Sequence, residues 1–569
     1  MSNVNFTYTN LTPFKWYVLE NFPFIEADFD ALTNWQLFCK LGKEMNKIIK
    51  SVNVSGEQVE TLTNAFNNLQ NYVNNYFDNL DVQEEINNKL DQMAQSGELL
   101  NLITQYLNSN ALLIFNNISD LQNSNSLIIG ANVKTLGYYN YLDGGGSLYK
   151  IIEKPDIITS DIIEINNDIS AKLIIENGIV NVKQFGAKGN NLEDDTTYIQ
   201  NAFDFCMEND YNLYFPNGIY KTTRPIGIST SLEKSKTLPT IFGEKQTGIS
   251  ANLANKELSG AVILYYGNGE KAIQLQNTNR QNSFVGGSIK DISILNIGDM
   301  KTDGSIGLYL EGCIDYRLYN VSCIGFNYGF YNKYGWSFDC YGLICVRNTI
   351  GIYLDDNSNA CGFHGTQIHQ NEINVKIVSG VNIDFEKATL EGGGTAVVIT
   401  SQDNINVSPA NISFKNCYLE ANRRGFLIGK DENNITSDKI IDVINISNIN
   451  IDSAYLDYVF EFDNTWHINI SNIRYGQPKP LYTATNNTLY VEFKNLGNKY
   501  YNFIQNRNML TNKTGTKNGF NLAPNGFMLY PYLNNLKYAG FPVEIDTTTF
   551  PRRTSIKNYS SKWNKFKYF

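Results

Sequence analysis

The sequence predicts a mainly β solenoid, a parallel β-helix, preceded by a helical coiled coil. Three observations carry this. First, a short phrase keeps returning: Ile306-Gly-Leu-Tyr-Leu310 recurs as Tyr328-Gly-Phe-Tyr-Asn332 and Ile350-Gly-Ile-Tyr-Leu354, with looser copies starting at Ile373, Thr395 and Gly425. The offsets are 22, 22, 23, 22 and 30 residues, and a period of roughly 20–50 residues marks a repeat array. Second, another phrase lies between the copies: Ile383-Asp-Phe385 with Thr389-Leu-Glu391 matches Ile412-Ser-Phe414 with Tyr418-Leu-Glu420. Each period therefore holds two or three short alternating runs broken by Gly and Asn, which is one coil of a parallel β-helix. Third, Val52, Ser55, Val59, Leu62, Phe66, Leu69, Val73, Tyr76 and Leu80 step by three and four residues, the seam of a coiled coil.

From the start of the chain, residues 1–44 concentrate Phe14, Trp16, Tyr17, Phe22, Phe24, Phe29, Trp35 and Phe38. That is more apolar surface than so short a segment buries alone, so it reads as an adaptor docking on another protein, with a self-contained cap as the alternative. In the heptads that follow, the flanking positions are mostly Asn and Gln, so charge pairing does not select the partner. Bulky Phe66 and Tyr76 in the seam suit three strands, and a homotrimer is expected. The pattern breaks at Asp81, and Gln95-Ser-Gly97 stops the next helix. Residues 111–180 read as a small β-rich connector, with strand and turn signals at Thr135-Leu-Gly-Tyr-Tyr139 and Asp143-Gly-Gly-Gly146.

Composition bounds the function classes. With 569 residues, 42% of them hydrophobic, the chain can fill a long solenoid core. Asn is abundant and suits left-handed corners between short strands. A net charge of −10 argues against a nucleic-acid binder. The opening Met1-Ser-Asn-Val-Asn-Phe lacks the basic and apolar regions of a signal peptide, and no apolar run reaches the roughly 18 residues of a membrane span. The eight cysteines are scattered without CxxC pairs and read as core thiols of a chain folded in a reducing cytosol.

Further on come Val180-Asn-Val-Lys-Gln-Phe185-Gly-Ala-Lys-Gly189, Asp194-Asp195-Thr196, Ile199-Gln-Asn-Ala202 and Leu213-Tyr-Phe-Pro216-Asn-Gly218-Ile-Tyr220. This string resembles the entry to the pectate-lyase-like right-handed β-helix of phage tailspikes and pre-neck appendage-like proteins. The Thr135–Gly146 phrase is similar to the connector that precedes it, and Phe14 to Leu100 to the virion adaptor of small-phage spikes. The resemblance spans roughly residues 10–220 and is specific to the family, not to an activity. It implies four regions: an adaptor and coiled coil (1–110), the connector (111–180), the β-helix (181–480) and a C-terminal region for trimerisation or receptor contact (481–569). It also implies a virion appendage made in the host cytoplasm, docked on a tail or collar protein through residues 1–110 and directed at a host cell-surface polysaccharide.

Locally, Asp194-Asp195-Thr196 reads as a helix start, with a carboxylate capping free N–H groups, in preference to a catalytic or metal role. The helix from Thr196 to about Glu208 would plug the first coil, and Leu213-Tyr-Phe-Pro216 would be the first rung. Thr230–Lys245 and Gly267–Asn282 are polar excursions suited to a groove wall. After Asn422 comes an insertion, Asp431–Asp438, then rungs at Ile444–Asp457 and Ile468–Arg474. The tail Pro551–Phe569 is basic and aromatic, fit to meet an anionic polymer, a neighbouring subunit or only solvent.

Stacking the coils gives candidate chemistry. With Tyr319, Cys340, Phe363, Phe385 and Phe414 as inward markers and Ile324, Cys345, Ile368, Leu390 and Leu419 as a second inward column, the next residues are Gly325, Val346, His369, Glu391 and Glu420. The same offset from Ile451 and Ile468 adds Asp457 and Arg474. Rungs stack about 4.8 Å apart, and at an effective dielectric of ~20 two carboxylates at that spacing repel by about 3.5 kcal/mol. One is thereby kept protonated, and an acid beside an ionised partner about 5 Å away is what retaining glycoside hydrolysis uses. His369 would tune the pair or act as acid–base, and Arg423 and Arg424 would hold an anionic substituent. A plain solvated corner column is the competing reading. Asp339, Asp355, Asp356, Glu372, Asp384 and Glu386 are rivals, and related spikes place carboxylates either within one chain or between chains. His364 and His369 lack partners for zinc, and no carboxylate cluster for calcium is discernible, so no metal or cofactor is expected. Two functions follow: a glycan depolymerase (hydrolase or lyase) acting on capsule or teichoic acid, or a non-catalytic receptor-binding or structural appendage with the same fold.

Overall fold

The computed structural model describes residues 83–99, 112–246, 258–296, 303–402, 407–452 and 458–475, with further strands between 482 and 510. The aromatic segment 1–44, the heptads of 52–80, Asp457 and the tail 551–569 lie outside the described residues. Among the described residues no helix is long and apolar enough to cross a membrane. The chain divides into two units, 1–175 and 176–569.

In the first unit, helix α1 (Gln83–Gln95) ends where the sequence signals it, with Gly97 in the left-handed region at φ 74°. Strands β1 (Leu112–Phe115), β2 (Asn132–Thr135), β3 (Leu148–Glu153), β4 (Ile162–Glu164) and β5 (Ile169–Ile174) form a sheet of order β1-β2-β3-β5-β4. The strand signal around Thr135 is shorter than expected. It stops at Thr135, and the Asp143 carboxylate gathers the backbone N–H groups of Tyr138, Tyr139, Asn140 and Gly145 into a turn.

In the second unit, the alternating apolar runs stack as parallel coils. The first rung comes earlier than the sequence suggests: β6 (Ile179–Asn181) pairs with Asn212–Phe215, so the Val180 phrase is already solenoid. Helix α2 (Thr196–Asn209) buries Ile199, Ala202, Phe203, Cys206 and Met207. Its start is as expected, but its capping differs. Asp195, at the N-cap, makes no capping bond; its buried carboxylate accepts from the Lys188 and Gly189 N–H groups, and Asp194 accepts from the Thr196 N–H instead. The acidic pair thus fastens the preceding loop and the helix together.

Each regular coil contributes three strands, for example Ile373–Ile377, Gly380–Glu386 and Thr389–Glu391, all paired in parallel with their neighbours. The first strands of the coils make a ten-stranded sheet running from Ile226–Thr230 to Tyr482–Ala484; the others join in a second sheet of 26 strands. Within Gly267–Asn282, read as a loop, Lys271–Asn277 is a strand of the ten-stranded sheet, and within Thr230–Lys245, Lys236–Thr237 and Thr240–Gly243 belong to the other.

Inside the coils, Phe363, Phe385 and Phe414 stack with ring centroids 4.5 and 4.8 Å apart and planes within 6°. Leu318, not Tyr319, is the partner of Cys340, and Cys323, not Ile324, that of Cys345. Choosing the aromatic residue displaced the alignment by one, because Tyr319 faces outward and stacks on Tyr341. Likewise Arg424, not Gly425, is the partner of Thr395. Asn residues serve the corners, as at Asn320 and Asn382 with φ of 50° and 58°. They also form a buried chain: the Asn371 carboxamide donates to Asn374, and that of Asn374 to Asn422. The seven described cysteines are buried free thiols.

The insertion after Asn422 folds against the ten-stranded sheet. Glu432 accepts from Lys376 Nζ at 2.7 and 2.8 Å, while Glu461 pairs with Arg424 and Lys430 at 2.8 and 2.6 Å.

Candidate functional site

The third strand of each coil carries one outward column. Its register runs Leu264, Leu295, Ile324, Val346, His369, Glu391, Glu420, Asp452. Three of the expected residues, His369, Glu391 and Glu420, are therefore brought together on consecutive rungs. Ile324 stands in this column in place of the expected Gly325, because the inward partner of Cys345 is Cys323. Val346 is in register but buried, packed with Val262, Leu264, Leu295 and Ile324 beneath Leu258.

The other assignments change. Asp452 continues the column beyond Glu420, since Leu419 pairs with Ile451; the offset that selected Asp457 started from the wrong inward residue. Arg474 pairs with Asn450, in the column of Thr389 and Tyr418, and is exposed. Arg423 is exposed on the turn after Glu420. Arg424 belongs to the ten-stranded sheet, where its guanidinium is bound to Glu461, Asn434 and the Glu432 carbonyl. An arginine so engaged is not available to an anionic substituent.

The electrostatics separate the two glutamates. Glu391 is half-buried, and burial, then the charge of Glu420, pushes its carboxyl above the ordinary range. Glu420 is exposed and accepts from the Tyr418 hydroxyl at 3.0 Å. Burial lowers the affinity of His369 for a proton, so the imidazole is favoured in its neutral form. The arrangement favours a proton on Glu391 and sets it beside a second carboxylate on a strand about 4.8 Å away.

The sequence reading missed Tyr418 and Asp452, which only the correct register reveals. It also left unassembled a cluster on the middle strands. His364 Nε2 lies 3.7 Å from Asp339 Oδ1 and its Nδ1 lies 3.5 Å from Glu386 Oε2, while Arg317 Nε meets Asp339 at 3.2 Å. These residues stand on successive coils, and Gly362 lets them meet: a Cβ there would come within 2.4 Å of Asp339 Oδ1 and 2.7 Å of His364 Nε2. Among the described residues no group of His, Cys, Asp and Glu is placed to hold a metal ion.

Residues 179–422 match the family model for rhamnogalacturonase A/epimerase, pectate lyase-like. The second unit thus carries a pectate-lyase-like β-helix domain, and both glutamates lie within the match. Among solved structures, the chain is similar to ORF18 of Geobacillus virus E2 (16% identity, 70% of this chain and 77% of that one, TM-score 0.44). It is also similar to a tailspike protein of Acinetobacter baumannii bacteriophage Fri1, a capsular polysaccharide depolymerase (12%, 68% and 71%, 0.39). A third is the enzymatically active domain of tailspike protein 2 from bacteriophage CBA120 (13%, 71% and 58%, 0.43). No curated protein sequence matches the chain.

Proposed function

We propose that the protein is a phage tailspike or appendage whose β-helix binds a bacterial cell-surface polysaccharide or teichoic acid and cleaves it at Glu391 and Glu420. The observation that carries the reading is this pair: two carboxylates on adjacent rungs of a pectate-lyase-like domain, one half-buried and raised toward its acid form, the other exposed and hydrogen-bonded to Tyr418.

In this reading Glu391 donates its proton to the glycosidic oxygen as the bond from the anomeric carbon breaks. The Glu420 carboxylate attacks that carbon and forms a glycosyl ester. Glu391, now ionised, then takes a proton from water, whose oxygen displaces Glu420 and releases the sugar. Tyr418 holds Glu420 in place, and neutral His369 borders the pair. The resemblance of residues 10–220 to phage spikes supports attachment to a tail or collar protein through residues 1–110, and the heptads support a homotrimer.

The test is incubation with wall polymer purified from the host bacterium. The wild type should release short oligomers with saturated ends, and Glu391→Gln or Glu420→Gln should lower the rate by roughly 10²–10⁴-fold. Polymer left intact by the wild type would refute cleavage and leave a non-catalytic receptor-binding appendage; unsaturated ends would make it a lyase. A chain starting near Leu121 should fold and fail to assemble onto particles, and a monomer mass in sedimentation would exclude the trimer.

A further inference from the structure

A corner away from the glutamate column brings together Arg280, Tyr334, Trp336, Asp356 and Asn359. Trp336 and Asn359 are direct partners on adjacent parallel strands. Both are half-buried, while Phe338 and Cys361, two residues on, are in the core. The loop carrying Arg280 reaches this corner: its guanidinium sits 4.5 Å from the centre of the Tyr334 ring and is ion-paired with Asp356. The Tyr334 hydroxyl donates to the Arg280 carbonyl at 3.4 Å, and its ring lies 5.0 Å from that of Trp336, tilted by 60°.

Two polar atoms here have no hydrogen-bond partner: the Trp336 indole N–H and the Asn359 side-chain oxygen, both shielded from solvent. Outward carboxamides on other successive coils satisfy one another, as Asn411 does with Asn382, Asn448 with Asn416 and Asn469 with Asn445. An unpaired donor and an unpaired acceptor on directly paired positions of adjacent strands are costly in a native fold and call for a partner the protein does not supply. One donates and the other accepts, the two roles that a single hydroxyl combines. Beside them stand two aromatic rings for an apolar face, and a guanidinium and a carboxylate suited to neighbouring hydroxyls. The Arg280 side chain is 49% exposed, so the corner opens to solvent on that side.

We propose that this corner is a second glycan-binding subsite, which seats a neutral sugar ring through one hydroxyl held between the Trp336 N–H and the Asn359 oxygen. The inference rests on the glycan reading above and adds to it a contact distinct from the glutamate column.

The test uses the full chain against an immobilised panel of purified bacterial capsular polysaccharides and teichoic acids. Glu391→Gln serves as a binding-competent reference. Trp336→Phe keeps a ring and removes the N–H, and should weaken binding of the same polymer by about tenfold, the effect of one hydrogen bond. Asn359→Leu should do likewise, and its thermal melt checks the fold independently of Trp336. If both variants bind every polymer as the wild type does, the corner is not a subsite and the glycan reading stands. If the wild type binds no member of the panel, both fall together. In a crystal of Glu391→Gln with a bound fragment, a sugar hydroxyl should bridge Trp336 and Asn359; a water alone there, with sugar bound elsewhere, overturns the proposal.

Discussion

One outward column of the β-helix has two halves that differ in everything except backbone geometry. Leu264, Leu295, Ile324 and Val346 occupy the early rungs and pack with Leu258 into a second apolar cluster on the outside of the sheet. His369, Glu391, Glu420 and Asp452 occupy the later rungs in the same register and, among the described residues, take no part in that cluster. Gln246 is fastened to the apolar half, its carboxamide donating to the buried Ser322 Oγ on the rung of Ile324. A solenoid column is therefore neither intrinsically structural nor intrinsically functional. What crosses over it decides which side-chain chemistry the position tolerates.

The inner aromatic stack in the coils of the open half sets the scale. Phe385→Ala removes the ring between Phe363 and Phe414 and should cost about 3–5 kcal/mol in denaturant unfolding. A loss under about 1 kcal/mol would mean the coils repack freely. Next, Val346→Glu would extend the carboxylate column into the covered half. There the charge would be buried, so destabilisation near neutral pH should be about 3 kcal/mol, partly recovered in acid as the carboxyl protonates. If Val346→Glu were harmless, the two halves would not differ as described. Smaller again is Gln246→Ala, which removes the bond to Ser322 and should cost roughly 1 kcal/mol, with faster amide exchange around Ile324 and Val346.

How much of this was legible beforehand follows from which signals are periodic. The copies at Ile306, Tyr328 and Ile350 and the pairing of Phe385 with Phe414 are set by strand register, and register shows in sequence because each slip would turn every side chain to the other face. The adjacency of Glu391 and Glu420 on neighbouring rungs is legible on that account. What failed was alignment by residue type. By residue type Tyr319 suits an aromatic core, yet its neighbour Leu318 fills that slot. After the insertion the offset pointed to Asp457, whereas pairing of Leu419 with Ile451 puts Asp452 next. Arg424 looked close to Glu420 in sequence, but the corner between them turns it onto the other sheet, into the ion-pair network of Glu461. The His364 cluster and the Trp336 corner depend on contacts between coils about 22 to 76 residues apart, and no local pattern announces those.

The finest test of the comparison lies in how the open half titrates. The Glu391 carboxyl is raised in the folded protein by burial and by the Glu420 charge. A raised carboxyl means the native state binds its proton more tightly than the unfolded chain does. Stability is then greatest below the unfolded value and declines as pH rises through the folded one. Glu391→Gln, which cannot ionise, should match the wild type in acid and become slightly the more stable toward neutrality. Because Glu391 is only half-buried, solvent screens the effect and it should stay within about 0.5 kcal/mol. The measurement is denaturant unfolding of both proteins across that range. Adding Glu420→Gln should shrink the difference, since it removes the charge that helps raise Glu391. A Glu391 effect that ignores Glu420 would assign the shift to burial alone and leave the two glutamates as neighbours that do not act as a pair.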